Sequence, residues 1–374
     1  MFIKGTNYKY LPILSISPSE MRAVEELPEK VKDCLLPLFP LKGWMSAKTL
    51  DKTMDRVSRS FKDRPWIVDI DSDFLQKAKV EISVREEPRQ VFNEIIELSN
   101  SSDGYKNWCD FLASHEHLIP CVQTDNLAQI EAQIKRFQGW GRYFVINLKL
   151  YELNSRQLYQ KLAVLDEFEI EGGLFLIDFG DIDRGFHAEL AAYTDIVRHI
   201  SERFNTCDIA VAATSFPYSF SGQRNGEASI YERQLFQNIC HSLSPKIITY
   251  SDHGSSRAGK MSGGSGAPPP RIDYALKIEW KFIREEFRDS RDIQEGEKNG
   301  LYKKIASEMI CQDYWIEDLK LWGTQMIELT SQGDSFGITS AQDATSVRIN
   351  LHLYQQLYYD LEDNLYDTDE DWVD

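Results

Sequence analysis

The sequence predicts an α/β fold in which eight strands alternate with helices and close into one (β/α)8, TIM-barrel-like domain. Three observations predict it. Eight short apolar runs recur along the 374 residues, and all but the last are followed directly by a helix-like segment. The runs are near-continuously apolar, as strands covered on both faces are. The chain is also 42% hydrophobic and 12% aromatic, ample material for a core of that size. An open doubly wound sheet is the alternative arrangement of the same units.

The first strand is read at 10–16 (YLPILSI), followed by a helix over 17–31 capped by Ser17 or Ser19 with Pro18 in its first turn. The second strand, 35–41 (LLPLFPL), leads into a helix over 47–61. The third, 65–71 (PWIVDID), precedes an insert of two helical stretches running to about Ser114. The fourth, 118–124, leads to a helix over 127–137 that Asp125 or Asn126 would cap. The fifth spans 142–150, the sixth 173–182 (GLFLIDFGDI) and the seventh 207–217, each with its helix, and the eighth is 246–252 (KIITYSD).

The eighth strand is followed by a Gly/Ser/Pro-rich loop over 253–271, a strand-like stretch over 274–283 able to form a hairpin, and a helix over 300–310 that would close the barrel. A turn region (331–340) and a last helix over 346–361 complete the chain. The predicted organisation is one barrel-like domain over 1–357 with inserts at 72–117 and 253–300, then an acidic tail over 358–374. In that tail eight of the last fifteen residues are Asp or Glu, and Tyr358, Tyr359, Tyr366 and Trp372 are candidate docking anchors.

Charge and composition narrow the function classes. A net charge of −17 opposes general nucleic-acid binding through phosphates. No apolar run reaches the roughly 18 residues a membrane span needs, and the N-terminus lacks the apolar segment of a signal peptide. The six cysteines are scattered with no CxxC pair, which suits reduced thiols and a cytoplasmic location. GxGxxG and GxxxxGK[ST] are absent, GxSxG occurs as GDSFG in the turn region 331–340 and not after a strand as a nucleophile elbow would, and the DFG at 178–180 has no kinase companions.

In barrels of this kind function sits at the carboxyl ends of the strands. Those ends supply Asp69 and Asp71, Asp178 and Asp181, and Asp252. Such a carboxylate set would hold Mg2+ or Mn2+, with His253, Lys149 and Asp178 in acid/base or catalytic roles. Asp at a strand end also caps the following helix, and Asp71, Asp125 and Asp183 are placed to do so. Against the acidic background one segment is basic, with Arg257, Lys260, Arg271, Lys277, Lys281 and Arg284 interleaved with Tyr274, Trp280 and Phe282. It would suit a phosphate-bearing ligand, or a solvated edge balanced by nearby glutamates.

With these elements placed, the chain resembles the Beta-protein family of phages and bacterial mobile elements. The resemblance is carried by YLPILSISPSEMRAVEELPEKVKDCLLPLFPL at the start, then RPWIVDID, GLFLIDFGDI, TSFP, YSDHG, SQGDSFG and SVRINLHL, across nearly the whole chain. PLFP stands where PLFE is more usual, and His352 stands alone where a His pair is typical. The resemblance implies a TIM-barrel-like fold and a setting in phage biology or antiphage defence, but no reaction. At its motif positions it makes Asp69, Asp178, Asp252, Gly254, Asp334, Arg348 and His352 candidates. With Arg257 and Arg271, the residues Asp334, Arg348 and His352 form the expected ligand-binding set.

Two readings of function follow. In the first, the chain is a binding or regulatory barrel in phage–host conflict, recognising a protein partner or a nucleotide-like ligand at the carboxyl rim. In the second, it is a divalent-metal-assisted phosphoryl-transfer or hydrolytic enzyme. No catalytic constellation meets its spacing test, so the first is preferred and enzymatic activity is left open.

Overall fold

Each of the eight apolar runs contains a parallel strand shorter than the run itself. These are β1 (Tyr10–Pro12), β2 (Leu38–Leu41), β3 (Trp66–Ile70), β4 (Leu118–Pro120), β5 (Phe144–Lys149), β6 (Gly173–Asp181), β7 (Asp208–Thr214) and β8 (Thr249–Asp252). The structure, a computed structural model, describes residues 2–3, 6–220, 222–259 and 267–361, with side chains from residue 8 onward. Residues 362–374 of the acidic tail, including Tyr366 and Trp372, and Lys260 of the basic segment lie outside the described residues.

The architecture is a mixed α/β fold on parallel strands. One sheet has the order β1-β8-β7-β6-β5 and the other β2-β3-β4. Isolated parallel bridges join the sheets at both flanks, Tyr10 with Leu35 and Ile13 with Leu38 on one side, Cys121 with Val145 on the other. There Leu14 N donates to Leu38 O (2.9 Å) and Val122 N to Val145 O (2.8 Å).

Successive residues of a strand face opposite ways, and the strands sort their side chains accordingly. Leu11, Leu38, Ile67, Ile119, Val145, Leu174, Leu176, Ala210 and Ala212 form one small buried cluster drawn from both sheets. Their neighbours, including Tyr10, Phe39, Val68, Ile146, Phe175, Val211 and Tyr250, belong to the large core shared with the helices. Burial on both faces explains why the runs read as continuously apolar.

The helices depart from the sequence reading where proline or backbone geometry intervenes. The first expected helix is two, Pro18–Glu25 and Glu29–Lys32, because Pro28 cannot continue an α-helix. The insert after β3 holds three helices rather than two, Ser72–Val84, Gln90–Leu98 and Ser102–Ala113, broken around Pro88 and at 99–101, and the third is kinked by left-handed residues at 103–105. The stretch expected as one strand over 274–283 is a hairpin of Arg271–Ala275 and Glu279–Arg284. Asn225–Ser229, a polar segment between the seventh strand and its helix, pairs antiparallel with that hairpin, since a backbone ladder needs no apolar pattern.

The helix Trp322–Gln332 was absent from the sequence reading. The last helix, Ala341–Leu357, is buried on nearly every side against Pro18–Glu25, Trp322–Gln332 and Arg271–Ala275. That is why polar residues such as Arg348, Asn350 and His352 sit inside it with specific partners. Six free thiols are present, with Cys109, Cys121 and Cys207 buried. Among the described residues no helix is long and apolar enough to cross a membrane.

Candidate functional site

The facing rule that builds the small cluster also builds the site. Continuing Leu174 and Leu176 of β6 by two residues reaches Asp178, and continuing Val145 of β5 reaches Asn147 and Lys149. Ile67 leads to Asp69, Leu38 toward Lys42, and Ser251 to His253. Asn147, Lys149, Asp178, His253 and Lys42 line a cavity of about 740 Å3 at the carboxyl ends of the strands. Asp69 lies in an adjoining cavity of about 450 Å3, which Asn147 and Lys149 also line. Its carboxylate accepts hydrogen bonds from Gln123 Nε2 (3.0 Å) and Asn147 Nδ2 (3.1 Å).

Asp178 and His253 form a buried pair, with His253 Nε2 3.0 Å from Asp178 Oδ1. The same oxygen accepts from Gly180 N at 2.9 Å. Gly180 has φ +72° and presses its Cα side against Tyr151, leaving no room for a Cβ. Burial draws the His253 pKa down, but the charge and hydrogen bond of Asp178 more than offset it, so the imidazolium is favoured. Lys149 behaves alike: burial lowers its pKa, and Asp69, Glu152 and Asp178 together raise it further.

Opposite this pair lies a group of arginines held by aromatic rings. Phe216, Tyr218 and Phe220, at alternate positions after β7, each have a guanidinium close over the ring. Arg348 lies 3.9 Å from the Phe216 centroid, Arg257 2.9 Å from Tyr218 and Arg271 3.8 Å from Phe220. Asp273 neutralises two of them, with Oδ2 3.0 Å from Arg348 Nη1 and Oδ1 2.8 Å from Arg271 Nε. Arg257 Nε lies 3.0 Å from Asp181 Oδ1, and Arg257 Nη1 donates to the Phe216 carbonyl.

Asp252 faces the other way. It ends β8, one residue before His253, and its side chain points from the sheet toward the last helix. Oδ1 accepts from Tyr10 Oη (2.5 Å) and Gly254 N (2.7 Å), and Oδ2 from Tyr250 Oη (2.8 Å) and His352 Nε2 (2.8 Å). Burial alone would raise its pKa, but His352 and these donors hold the carboxyl at about 2. Glu232, beside it at the start of the helix Tyr231–Leu243, is pushed up to about 8 by burial and by Asp252.

The structure therefore divides the expected site residues. Lys149, Asp71, Asp178, His253, Arg257, Arg271 and Arg348 line the main cavity. Asp71 also accepts from Phe74 N at 2.7 Å and caps the helix after β3, as expected. Asp181 borders the cavity through Arg257, while Asp252 and His352 lie behind the sheet. Asp334 sits in the turn before the last helix, bonded to Phe336 N (2.9 Å) and away from the cavity lining. Among the described residues the five aspartates bring no three ligand atoms within 4.8 Å of one another; the trio that does is Glu232, Asp252 and His352.

Sequence reasoning missed Lys42, Asp273 and Glu232. Lys42 obeys the same strand-end rule and was legible. Asp273 falls between the expected loop and the expected strand, Glu232 at an ordinary acidic helix start, and neither carries a local signal.

The family model described as Beta protein matches residues 10–358. Protein beta of Enterobacteria phage P4 is 28% identical over 362 residues, covering 94% of this chain and 93% of that protein. No solved structure matches the chain.

Proposed function

Because the chain belongs to the Beta protein family, with a relative encoded by a phage, we propose that it is a phage-associated binding barrel. Its strand-end cavity takes a phosphate-bearing, nucleotide-like ligand, and it acts in phage–host conflict. The observation that carries the reading is the gathering of Lys42, Lys149, Arg257, Arg271, Arg284 and Arg348 around one cavity, which balances the carboxylates Glu20, Asp71, Asp73, Glu152, Asp178 and Asp273 there, in a chain of net charge −17. Guanidinium groups bind phosphate through paired donors, and ring stacking presets their planes. A volume of about 740 Å3 is within the usual span for small-ligand sites. The half-exposed ring of Tyr151 at the same cavity offers a face on which a base can stack.

Barrel closure is part of this proposal. It is supported by the bridges at both flanks and by the single small cluster into which both sheets send side chains. A flat open sheet would not bring Leu38 and Ile67 against Leu174 and Ala210.

The metal-assisted alternative is favoured by the His253–Asp178 pair beside Lys149. Since the rim aspartates do not converge as a trio, Mg2+ there would take one or two of them and complete its shell from substrate phosphates and water. The two readings separate in one experiment. Thermal shift and calorimetry with nucleoside diphosphates, triphosphates and pyrophosphate should show saturable stabilisation, weakened on the order of tenfold by Arg271→Met. Mg2+-dependent turnover of the bound nucleotide would favour the enzyme. Failure of every phosphate compound to shift the wild-type melting point at millimolar concentration would sink the binding reading.

A further inference from the structure

Behind the sheet, outside the cavity, three ligand-type side chains from three separate elements meet. Asp252 ends β8, Glu232 lies in the first turn of Tyr231–Leu243, and His352 is in the last helix. One ligand atom from each lies within 4.8 Å of the others, and all three residues are buried. We propose that Glu232, Asp252 and His352 bind a divalent first-row transition ion that pins the last helix to the sheet.

The donor chemistry fits. Two carboxylates balance a dication, and an imidazole beside them suits Zn2+ or Mn2+ rather than Ca2+. Glu232 supplies the independent sign of a missing partner. It is 2% exposed, and although Ser215 donates to its Oε2, Oε1 has no hydrogen-bond partner. A buried carboxylate oxygen left unpaired is costly, and a cation removes that cost.

The surroundings are those of a held ligand set. Tyr10, Tyr250 and Gly254 fix the Asp252 carboxylate, and Trp280 stacks on the His352 ring at 5.7 Å and 21°. Hydrogen bonds of this outer kind orient ligands toward a metal. The metal-free spacing is also close to what an ion requires. His352 Nε2 and Asp252 Oδ2 are 2.8 Å apart. Tetrahedral ligands at about 2.0–2.1 Å from zinc lie roughly 3.3 Å apart, so an ion replaces the shared proton with an opening of about half an ångström.

This inference is independent of the rim ligand, because Asp252 and His253 face opposite sides of β8. The test uses full-length, untagged protein. Elemental analysis after dialysis should find about one equivalent of zinc or manganese per chain. Stripping with a chelator should lower the melting temperature, and adding ZnCl2 or MnCl2 should restore it. Glu232→Gln should abolish stoichiometric binding. Tyr250→Phe, which keeps the packing and removes only the hydroxyl on Asp252, should weaken affinity about 10–100-fold in competition with a chromophoric chelator. Wild-type protein that retains less than about a tenth of an equivalent and ignores millimolar Zn2+ and Mn2+ overturns the proposal. So does metal retained undiminished by folded Glu232→Gln or by Tyr250→Phe.

Discussion

Asp273→Asn is the sharpest perturbation of the arginine cluster. The carboxylate is 3% exposed and lies 3.0 Å from Arg348, itself only 7% exposed. At an effective dielectric of about 20, opposite charges at that distance attract by about 5.5 kcal/mol, and desolvation of both groups offsets much of it. Burial presses the Arg348 pKa down, and Asp273 is the group that counters it. Removing the carboxylate alone leaves a buried guanidinium uncompensated and should cost about 3–5 kcal/mol. Urea unfolding followed by circular dichroism would measure this for Asp273→Asn, Arg348→Met and the double variant. The double variant should be more stable than the sum of the single losses by about 1–3 kcal/mol, since it removes both members of the buried pair and leaves only the partly exposed Arg271 without Asp273. Strict additivity, or an Asp273→Asn loss below about 1 kcal/mol, would refute the account. The same change makes the cavity more positive, so pyrophosphate affinity should rise as stability falls.

Three other outcomes are expected. Gly180→Ala should cost about 1–3 kcal/mol in urea unfolding, because φ is +72° and the new Cβ would meet Tyr151 Cδ1 at 2.5 Å; unchanged stability would contradict the close approach. Burial tends to raise the Glu29 pKa, but bonds from Lys62, Arg64 and Lys32 hold it at about 2. A depressed carboxyl pKa contributes stability above pH 4.5, lost as pH falls through about 2, so the advantage of wild type over Glu29→Gln should vanish in that window. With Glu29 44% exposed, solvent screening keeps that advantage to about 1 kcal/mol or less. If the sheets close on each other, the amides of Leu14 and Val122, which bond across the two seams, should exchange with solvent as slowly as those inside the sheets. Fast exchange at both would mean open edges.

The apolar runs determined where the strands lie, because strands buried on both faces must be apolar throughout, and WIVDI or GLFLIDFGD needs no tertiary context to show it. The strand-end rule likewise picked out Asp178, His253 and Lys149, the basic segment Arg257 and Arg271, and the family resemblance Arg348, all of which line one cavity. Polar segments were not legible in that way. Asn225–Ser229 is a strand only because a hairpin some fifty residues later pairs with it, and backbone pairing leaves no side-chain pattern. The last helix shows no clear apolar stripe because it is buried all round.

Tertiary structure alone decided which carboxylates share a site. Asp252 and His253 are neighbours in sequence, and both were expected at the rim. Strand pleating turns His253 into the cavity and Asp252 toward His352, a hundred residues away. Asp273 and Glu232 acquire their importance only from what folding sets beside them, two arginines in one case and Asp252 in the other. A sequence displays periodicity along the chain; charge pairing acts through space, and only the fold specifies those distances.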